Sequence, residues 1–333
     1  MKRKIVSLLM SLALVVSVVG CAPKQTAREM LEESVAKSME ITSAEQDIKI
    51  HFGVDLGENP DPMMEMFASM LKDVNVVMNA KSIMTEKPQI EMTASAELSG
   101  MTYNAEIYMN EEQMAMKIPM MEPYIVQDLV TAEGESAVMT QEQAQEISKK
   151  VYDIILAKVT DEELVLEEGA TVMVNGEEVK VNQIKLSLDD ARTKEIFNEA
   201  FTAVMNDPGF REIMIASQKN QNAMMGIELT DEEISAQMDD MMSEFEEGWA
   251  EAVTYFTMDR FDMTFGLDDS NQMVSSVMAM DMTVTDPDTE TTVKVNFEMD
   301  STAYNINAID SISFPELTEE NSVTADELGT MGY

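Results

Sequence analysis

Residues 47–56 read Asp47-Ile48-Lys49-Ile50-His51-Phe52-Gly53-Val54-Asp55-Leu56. Apolar side chains occupy every second position, and polar residues or glycine stand between them. Successive side chains of a β-strand point to opposite faces of a sheet. The stretch therefore predicts a strand with one buried and one solvated face.

The same alternation recurs downstream, in segments separated by short turns at Ser99-Gly100 and Asn110-Glu111-Glu112. Tight turns join antiparallel neighbours, whereas parallel pairing needs longer crossovers. The sequence therefore predicts an antiparallel meander. Its apolar positions are Val74, Val76, Met78 and Ala80; Ile90, Met92, Ala94, Ala96 and Leu98; Met101, Tyr103, Ala105, Ile107 and Met109; and Met114, Met116 and Ile118.

The middle of the chain, residues 141–256, changes to helical periodicity and predicts a mainly helical insert with one hairpin at 171–188. Asn175-Gly176 is a strong hairpin-turn signal, and Thr230 followed by Glu233 is a capping box that begins a helix. The predicted helices cover residues 27–40, a segment that begins near 141, 190–206, 209–221 and 230–256.

One-faced strands return after the insert and predict that both ends of the chain build a single sheet covered by the central helices. We therefore expect an α+β fold with a curved antiparallel sheet, a half-barrel, in one domain over residues 27–315. Residues 316–333 are expected to be a loosely held tail. The closing apolar positions are Phe261, Met263, Phe265 and Leu267; Val274, Met278, Met280, Met282 and Val284; and Val293, Val295, Phe297 and Met299.

The first 20 residues have the pattern of a secretion signal: a basic start, an apolar stretch from Ile5 to Val19, and Gly20 before Cys21. The apolar stretch is shorter than the roughly 20 residues of a membrane span. Residues 21–26 predict a polar tether.

Val18-Val19-Gly20-Cys21 resembles the lipobox of bacterial lipoproteins. The resemblance implies cleavage before Cys21 and a covalent diacylglycerol on its sulfur, which places the protein on the extracytoplasmic face of a cell membrane. Two acyl chains anchor a protein stably on a membrane. The alternative is an ordinary signal peptide with an incidental cysteine.

The net negative charge argues against two classes of binding partner. Removal of residues 1–20 leaves 19 basic and 63 acidic residues, a formal charge of −44. So negative a chain disfavours nucleic acid and anionic lipid surfaces, but it leaves a cationic envelope protein as a possible partner.

The 34 methionines are the second unusual feature. Thioethers bind Cu(I), but such sites gain from His or Cys, and the mature chain has only His51 and Cys21. No metal site or cofactor is therefore expected. Methionine also fills irregular apolar spaces, so core packing and the lining of a lipid-sized cavity remain open.

Catalytic signals are weak. The single histidine, His51, falls on the polar side of its strand, and no nucleophile elbow accompanies it. Adjacent carboxylates such as Asp239-Asp240 are interpreted as solvated faces in so acidic a chain, and Trp249 is the only tryptophan to stack on a sugar. The sequence predicts a protein that is not an enzyme.

The layout resembles the LolA/LppX-like lipoprotein-carrier superfamily and the uncharacterised Gram-positive lipoproteins placed near it. The resemblance lies in the element order and in the hairpin from Val174-Asn175-Gly176-Glu177 to Leu188. It implies a curved half-barrel whose hollow holds acyl chains or another apolar ligand, on a Gram-positive membrane.

The leading hypothesis is a membrane-anchored protein that binds a hydrophobic, lipid-like ligand in the concave face of the sheet. The alternative is an envelope scaffold with a filled core and an acidic, partner-binding surface. The hypothesis assigns Met63, Met66 and Met70 to a lid. It assigns Phe52, Tyr103, Ile107, Phe261, Phe265, Met280 and Phe297 to the wall.

Overall fold

The computed structural model describes residues 25–57, 71–85, 87–98, 100–119, 121–129, 141–224, 229–285, 291–324 and 327. These residues form an α+β fold in which one open, curved sheet of twelve strands carries several helices. The helices are α1 (Ala27–Ser38), α2 (Gln141–Lys158), α3 (Asp190–Met205), α4 (Pro208–Met224) and α5 (Asp231–Ala252). The strands are β1 (Ser43–Asp55), β2 (Val74–Ile83), β3 (Gln89–Leu98), β4 (Met101–Met109), β5 (Gln113–Lys117), β6 (Tyr124–Asp128), β7 (Leu164–Val174), β8 (Glu177–Leu188), β9 (Phe256–Leu267), β10 (Met273–Thr285), β11 (Thr292–Tyr304) and β12 (Ser322–Thr324).

The sheet joins the two ends of the chain. Its order is β12-β6-β5-β4-β3-β2-β1-β11-β10-β9-β8-β7. β1 pairs antiparallel with β2 on one side and with β11 on the other. The prediction of one sheet built from both ends is confirmed.

The hairpin inside the helical insert belongs to this sheet. Asn175 (φ 48°) and Gly176 (φ 79°) form the predicted turn, with both residues in the left-handed region that a type I′ turn requires. β7 begins at Leu164, seven residues before the predicted start, because a bulge between Glu167 and Ala170 interrupts the alternation. β8 then pairs with β9, so the hairpin forms one edge of the sheet.

The C-terminal segment differs from its expectation. β12 lies in the predicted loose tail, yet it pairs parallel with β6 at the opposite edge of the sheet. The chain before it is held by Phe314, whose ring lies 6.3 Å from that of Tyr108, and by the Ile312 amide, which donates to Gln89 Oε1 at 2.9 Å. A parallel strand of three mostly polar residues has no periodic pattern, so the sequence did not indicate it.

The sheet has an apolar face and a polar face. The apolar face carries Ile50, Phe52 and Phe297, and the polar face carries Lys49, His51 and Glu298. Directly paired residues on neighbouring strands share a face, which assigns every paired position.

The packed core covers only one end of the apolar face. α1, α2 and α3 lie over β7, β8 and β9, where Ile184 and Leu267 are completely buried. The helices therefore cover part of the sheet, rather than all of it as the sequence suggested. The buried core residues are Met30, Leu31, Leu156, Val159, Leu164, Ile184, Leu186, Leu188, Ile196, Phe265 and Leu267.

Arg28 joins α1 to the end of α2. Its guanidinium donates to the carbonyls of Leu156 (2.6 Å) and Val159 (2.5 Å), and to Asp161 Oδ1 (2.5 Å). The last carbonyls of a helix lack intrahelical partners, and cations stabilise that negative end. These three hydrogen bonds fix the position of α2 relative to α1.

Glu33 fixes α1 to the turn between β9 and β10. Its carboxylate lies 2.8 Å from Lys37 Nζ and accepts from Gln25 Nε2 (2.9 Å) and Asn271 Nδ2 (2.8 Å). The hydrogen bond from Lys37, followed by those from Gln25 and Asn271, lowers the pKa of Glu33 to about 2. Ionised Glu33 therefore stabilises the folded state.

This network predicts an acid-dependent contribution to stability. A carboxyl whose pKa falls on folding stabilises fully above its ordinary value of 4.5, and the contribution is lost as pH falls through about 2. We expect Glu33→Gln to lower the thermal midpoint at pH 7, and the gap to wild type to narrow between pH 5 and pH 2. Scanning calorimetry across this pH range measures both.

Glu32→Gln is the matched control, because Glu32 is an exposed neighbour on the same helix. We expect it to change the midpoint little at any pH. A gap for Glu33→Gln that stays constant with pH would contradict the assigned role of this carboxylate.

Candidate ligand-binding face

Four of the seven predicted wall residues form one row across the sheet. Phe261 pairs with Met280, Met280 with Phe297, and Phe297 with Phe52. Val74 continues the row on β2. The register therefore brings together side chains that are up to 245 positions apart, all on the apolar face.

Tyr103 and Ile107 lie on the same face, but farther along the sheet. A second row passes from Met278 through Met299, Ile50, Val76 and Ala96 to Tyr103. β4 is four strands from β11, so Tyr103 lies roughly 19 Å from Met299 at about 4.8 Å per strand.

Phe265 has a different environment from the other wall residues. It is 6% exposed and lies in the packed core under the helices. Phe261, two rows away on the same face, is half-buried and packs against that core. The predicted wall therefore includes one residue that the fold uses for packing.

The methionine stripe on β10 faces the same side as the wall. Met278, Met280 and Met282 are all half-buried on the apolar face, and a bulge in the pairing with β9 places Met258 opposite Met282. Among the described residues, no group of three or more His, Cys, Asp or Glu is placed to hold a metal ion. Met63, Met66, Met70 and Cys21 lie outside the described residues.

The apolar face is partly exposed away from the helices. On β2, β3 and β4, every side chain of this face keeps some solvent exposure in the described part of the chain, and Met101 is 56% exposed. This contrasts with β8, where Ile184, Leu186 and Leu188 are buried. One end of the face is packed and the other is accessible.

A pocket of about 480 Å³ lies where the packed and accessible parts of the apolar face meet. Its floor includes Ser276 and Ser301, which face each other across β10 and β11. Gln145 on α2 donates to the carbonyl of Met39 at 2.8 Å, which holds α2 against the end of α1. The described lining residues are Ser38, Met39, Ile41, Ala44, Gln46, Ser82, Met84, Gln145, Ser148, Tyr152, Met273, Val274, Ser275, Ser276, Ser301 and Ala303.

Sequence reasoning missed an aromatic cluster between α3, α5 and β9. Trp249 lies 5.6 Å from Phe197, 5.4 Å from Phe245 and 6.0 Å from Phe256, measured between ring centroids. Phe201 lies 4.1 Å from Phe245. Phe197 is 55% exposed. The i, i+4 spacings of Phe197 with Phe201 and of Phe245 with Trp249 were the available signal.

The polar face carries the charges of the central strands. Arg260 Nε donates to Asp262 Oδ2 at 2.7 Å, and His51 Nδ1 lies 3.1 Å from Asn75 Oδ1. Burial, followed by the nearby Glu106 carboxylate, raises the pKa of Tyr124. Among the described residues, no helix combines the length and apolar character needed to cross a membrane.

No family model matches the chain, and no curated protein matches it. Among solved structures, the chain is similar to a beta-barrel-like protein of a domain of unknown function from Brucella abortus. The two are 9% identical over 79% of this chain and 97% of that chain, with a TM-score of 0.19. It is also similar to lipovitellin, in a structure of lipid–protein interactions, at 7% identity over 83% of this chain and 26% of that chain, with a TM-score of 0.21. TM-scores this low carry no argument about this chain.

Proposed function

We propose that the protein is a membrane-anchored extracytoplasmic lipoprotein that binds a hydrophobic, lipid-like ligand on the apolar face of its sheet and catalyses no reaction. The observation that supports this proposal is the accessible part of that face, where continuous apolar rows cross the sheet from β9 to β4.

The size of this surface supports a ligand rather than chance exposure. Seven neighbouring strands, from β9 to β4, span roughly 29 Å at about 4.8 Å per strand. Contiguous apolar patches of this kind mark binding sites in soluble proteins. Covering them contributes about 25 cal/mol for each Å² removed from water.

Methionine suits such a ligand. Met278, Met280 and Met299 lie side by side in the central rows. The unbranched, polarizable thioether side chain adapts to apolar partners of varied shape. A surface rich in methionine therefore tolerates acyl chains of different lengths and degrees of unsaturation.

The resemblance to LolA/LppX-like carriers and the lipid anchor on Cys21 are both part of this proposal. In LolA/LppX-like carriers a curved sheet holds acyl chains, and an open curved sheet with helices at one end is compatible with that arrangement. Diacylation of Cys21 would hold the protein on a Gram-positive membrane, close to its ligand. Met63, Met66 and Met70 would gate the face.

A second candidate function is that of an envelope scaffold. The β7–β9 end of the sheet is filled by side chains, and Phe197 is exposed beside Trp249. With a formal charge of −41, the chain would favour a cationic protein partner. This function needs no ligand on the apolar face, so ligand binding separates the two candidates.

The first test uses neighbouring valines that face opposite sides of β2. Val76 pairs with Ile50 and Ala96 on the apolar face, whereas Val77 is 44% exposed on the polar face. We expect Val76→Asn to weaken binding of the neutral dye Nile red about tenfold, because a polar amide would be desolvated. Dye fluorescence titration measures this.

Val77→Asn is the control, with the same change of residue on the same strand. We expect it to leave dye affinity unchanged. Equal losses in the two variants, or no dye binding by the wild type, would exclude the apolar face as the binding surface.

Direct isolation of the ligand is the second test. We expect the protein, purified from its native host without detergent, to release a lipid in about one-to-one ratio on organic extraction, as measured by mass spectrometry. Protein that carries no lipid above the level found with the Val76→Asn variant would favour the scaffold function.

The anchor is tested separately with Cys21→Ser. We expect wild-type protein to incorporate labelled palmitate and to remain with the membrane fraction, because two acyl chains hold a protein stably. The variant should lose the label and appear in the soluble fraction. Labelling that persists in Cys21→Ser would show that another residue carries the acyl chains.

A further inference from the structure

The pocket beside α1 and α2 has no charged side chain in its described lining. Of all residues in the chain, 26% are charged, and the formal net charge is −41. None of the described residues that line the pocket is Asp, Glu, Lys, Arg or His. The lining is nevertheless polar, because serine, glutamine and tyrosine side chains make up much of it. The residues whose side chains supply these groups are Ser38, Ser82, Ser148, Ser276, Ser301, Gln46, Gln145 and Tyr152.

Several of these groups are available to a ligand. Ser276 and Ser301 lie opposite each other in the floor, and Ser148 and Tyr152 belong to α2 above it. Within the described part of the chain, none of these four hydroxyls has a hydrogen-bond partner in the protein. Each hydroxyl can both donate and accept, which suits a ligand that carries hydroxyl groups of its own.

The pocket opens directly onto an apolar track. From Ser276, the next positions on the same face of β10 are Met278, Met280, Met282 and Val284. β11 runs beside it, with Met299 and Phe297 following Ser301. On each of the two strands, the residue next to the serine on the same face is a methionine.

The length of the track matches an acyl chain. The seven residues from Met278 to Val284 are joined by six steps of about 3.3 Å, which extend roughly 20 Å. A lipid leaflet is about 15 Å deep, half of the roughly 30 Å hydrocarbon core of a bilayer. One acyl chain therefore fits along β10 and β11 with its head group in the pocket.

We propose that this pocket holds the head group of the lipid and selects one that is uncharged and carries hydroxyl groups, as in an acylglycerol or a glycosylated acylglycerol. The inference rests on the proposed function and names its ligand class. A phosphate would enter a strongly negative protein, and the described lining offers no cation to pair with it. A quaternary ammonium group is recognised by several aromatic rings, and Tyr152 is the only aromatic residue in the described lining.

The test compares two lipids with the same acyl chain. Monooleoylglycerol has an uncharged head group with two hydroxyls, and oleoyl lysophosphatidic acid has a phosphate. We expect monooleoylglycerol to displace Nile red from the purified protein at a concentration at least about tenfold lower than oleoyl lysophosphatidic acid does. The double variant Ser276→Ala/Ser301→Ala should bind monooleoylglycerol roughly tenfold more weakly, since two hydrogen bonds are lost. Its affinity for the dye should not change.

Ser95→Ala is the matched control, because Ser95 lies on the polar face opposite Asn104. We expect it to leave both lipid affinities unchanged. Ser301→Lys supplies the missing cation and should strengthen binding of the lysophosphatidic acid at least about tenfold. Thermal unfolding of each variant verifies that the fold is intact.

The outcomes separate the two proposals. Equal affinity for the two lipids, or equal effects of the pocket and control variants, with the dye still bound, would overturn the head-group assignment and leave the hydrophobic face in place. Failure of the wild-type protein to bind either lipid or the dye would overturn the proposed function itself.

Discussion

The pairing of β1 with β11 holds the two halves of the sheet together. It runs in unbroken register from Glu45↔Tyr304 to Asp55↔Lys294 and joins segments about 250 positions apart. Side chains support it, since Tyr304 Oη donates to Asp47 Oδ1 at 3.2 Å and Asn305 Nδ2 to Glu45 Oε1 at 3.0 Å. Closing so long a loop costs conformational entropy. The continuous ladder and the apolar face that it aligns offset that cost.

The position of this pairing divides the sheet into two functional halves. Strands β7 to β11 form one half, in which α1, α2 and α3 pack on β7 to β9. Strands β2 to β6 form a meander whose apolar face remains partly exposed. Because β1 lies between the halves, the rows that begin at the packed core continue into the accessible region. The pocket, whose described lining carries no charged side chain, lies at this boundary.

Alternation also separates charge from the apolar face. Charged residues on β1 and β9, such as Lys49 and Asp262, fall on the polar face because their apolar neighbours in sequence occupy the other face. A strongly acidic chain can therefore present a surface with little charge. The acidic side chains remain in water, where salt screening limits the range of their electrostatic interactions to about 8 Å.

The one-faced strands, the hairpin turn at Asn175-Gly176 and the capping box at Thr230 could be predicted from the sequence alone, because they follow from local periodicity and turn chemistry. The union of both chain ends in one sheet could be predicted because the strands at the two ends share the same alternation. The sequence also placed Phe52, Phe261, Met280 and Phe297 on one face. Tertiary packing alone decided that Phe265 is core, that β12 pairs with β6, that Trp249 meets three phenylalanines, and that serines from distant segments line one pocket with no charged side chain among its described residues. Those outcomes depend on where helices dock and which strand edges meet, and contacts between residues far apart in the chain leave no periodic signal in it.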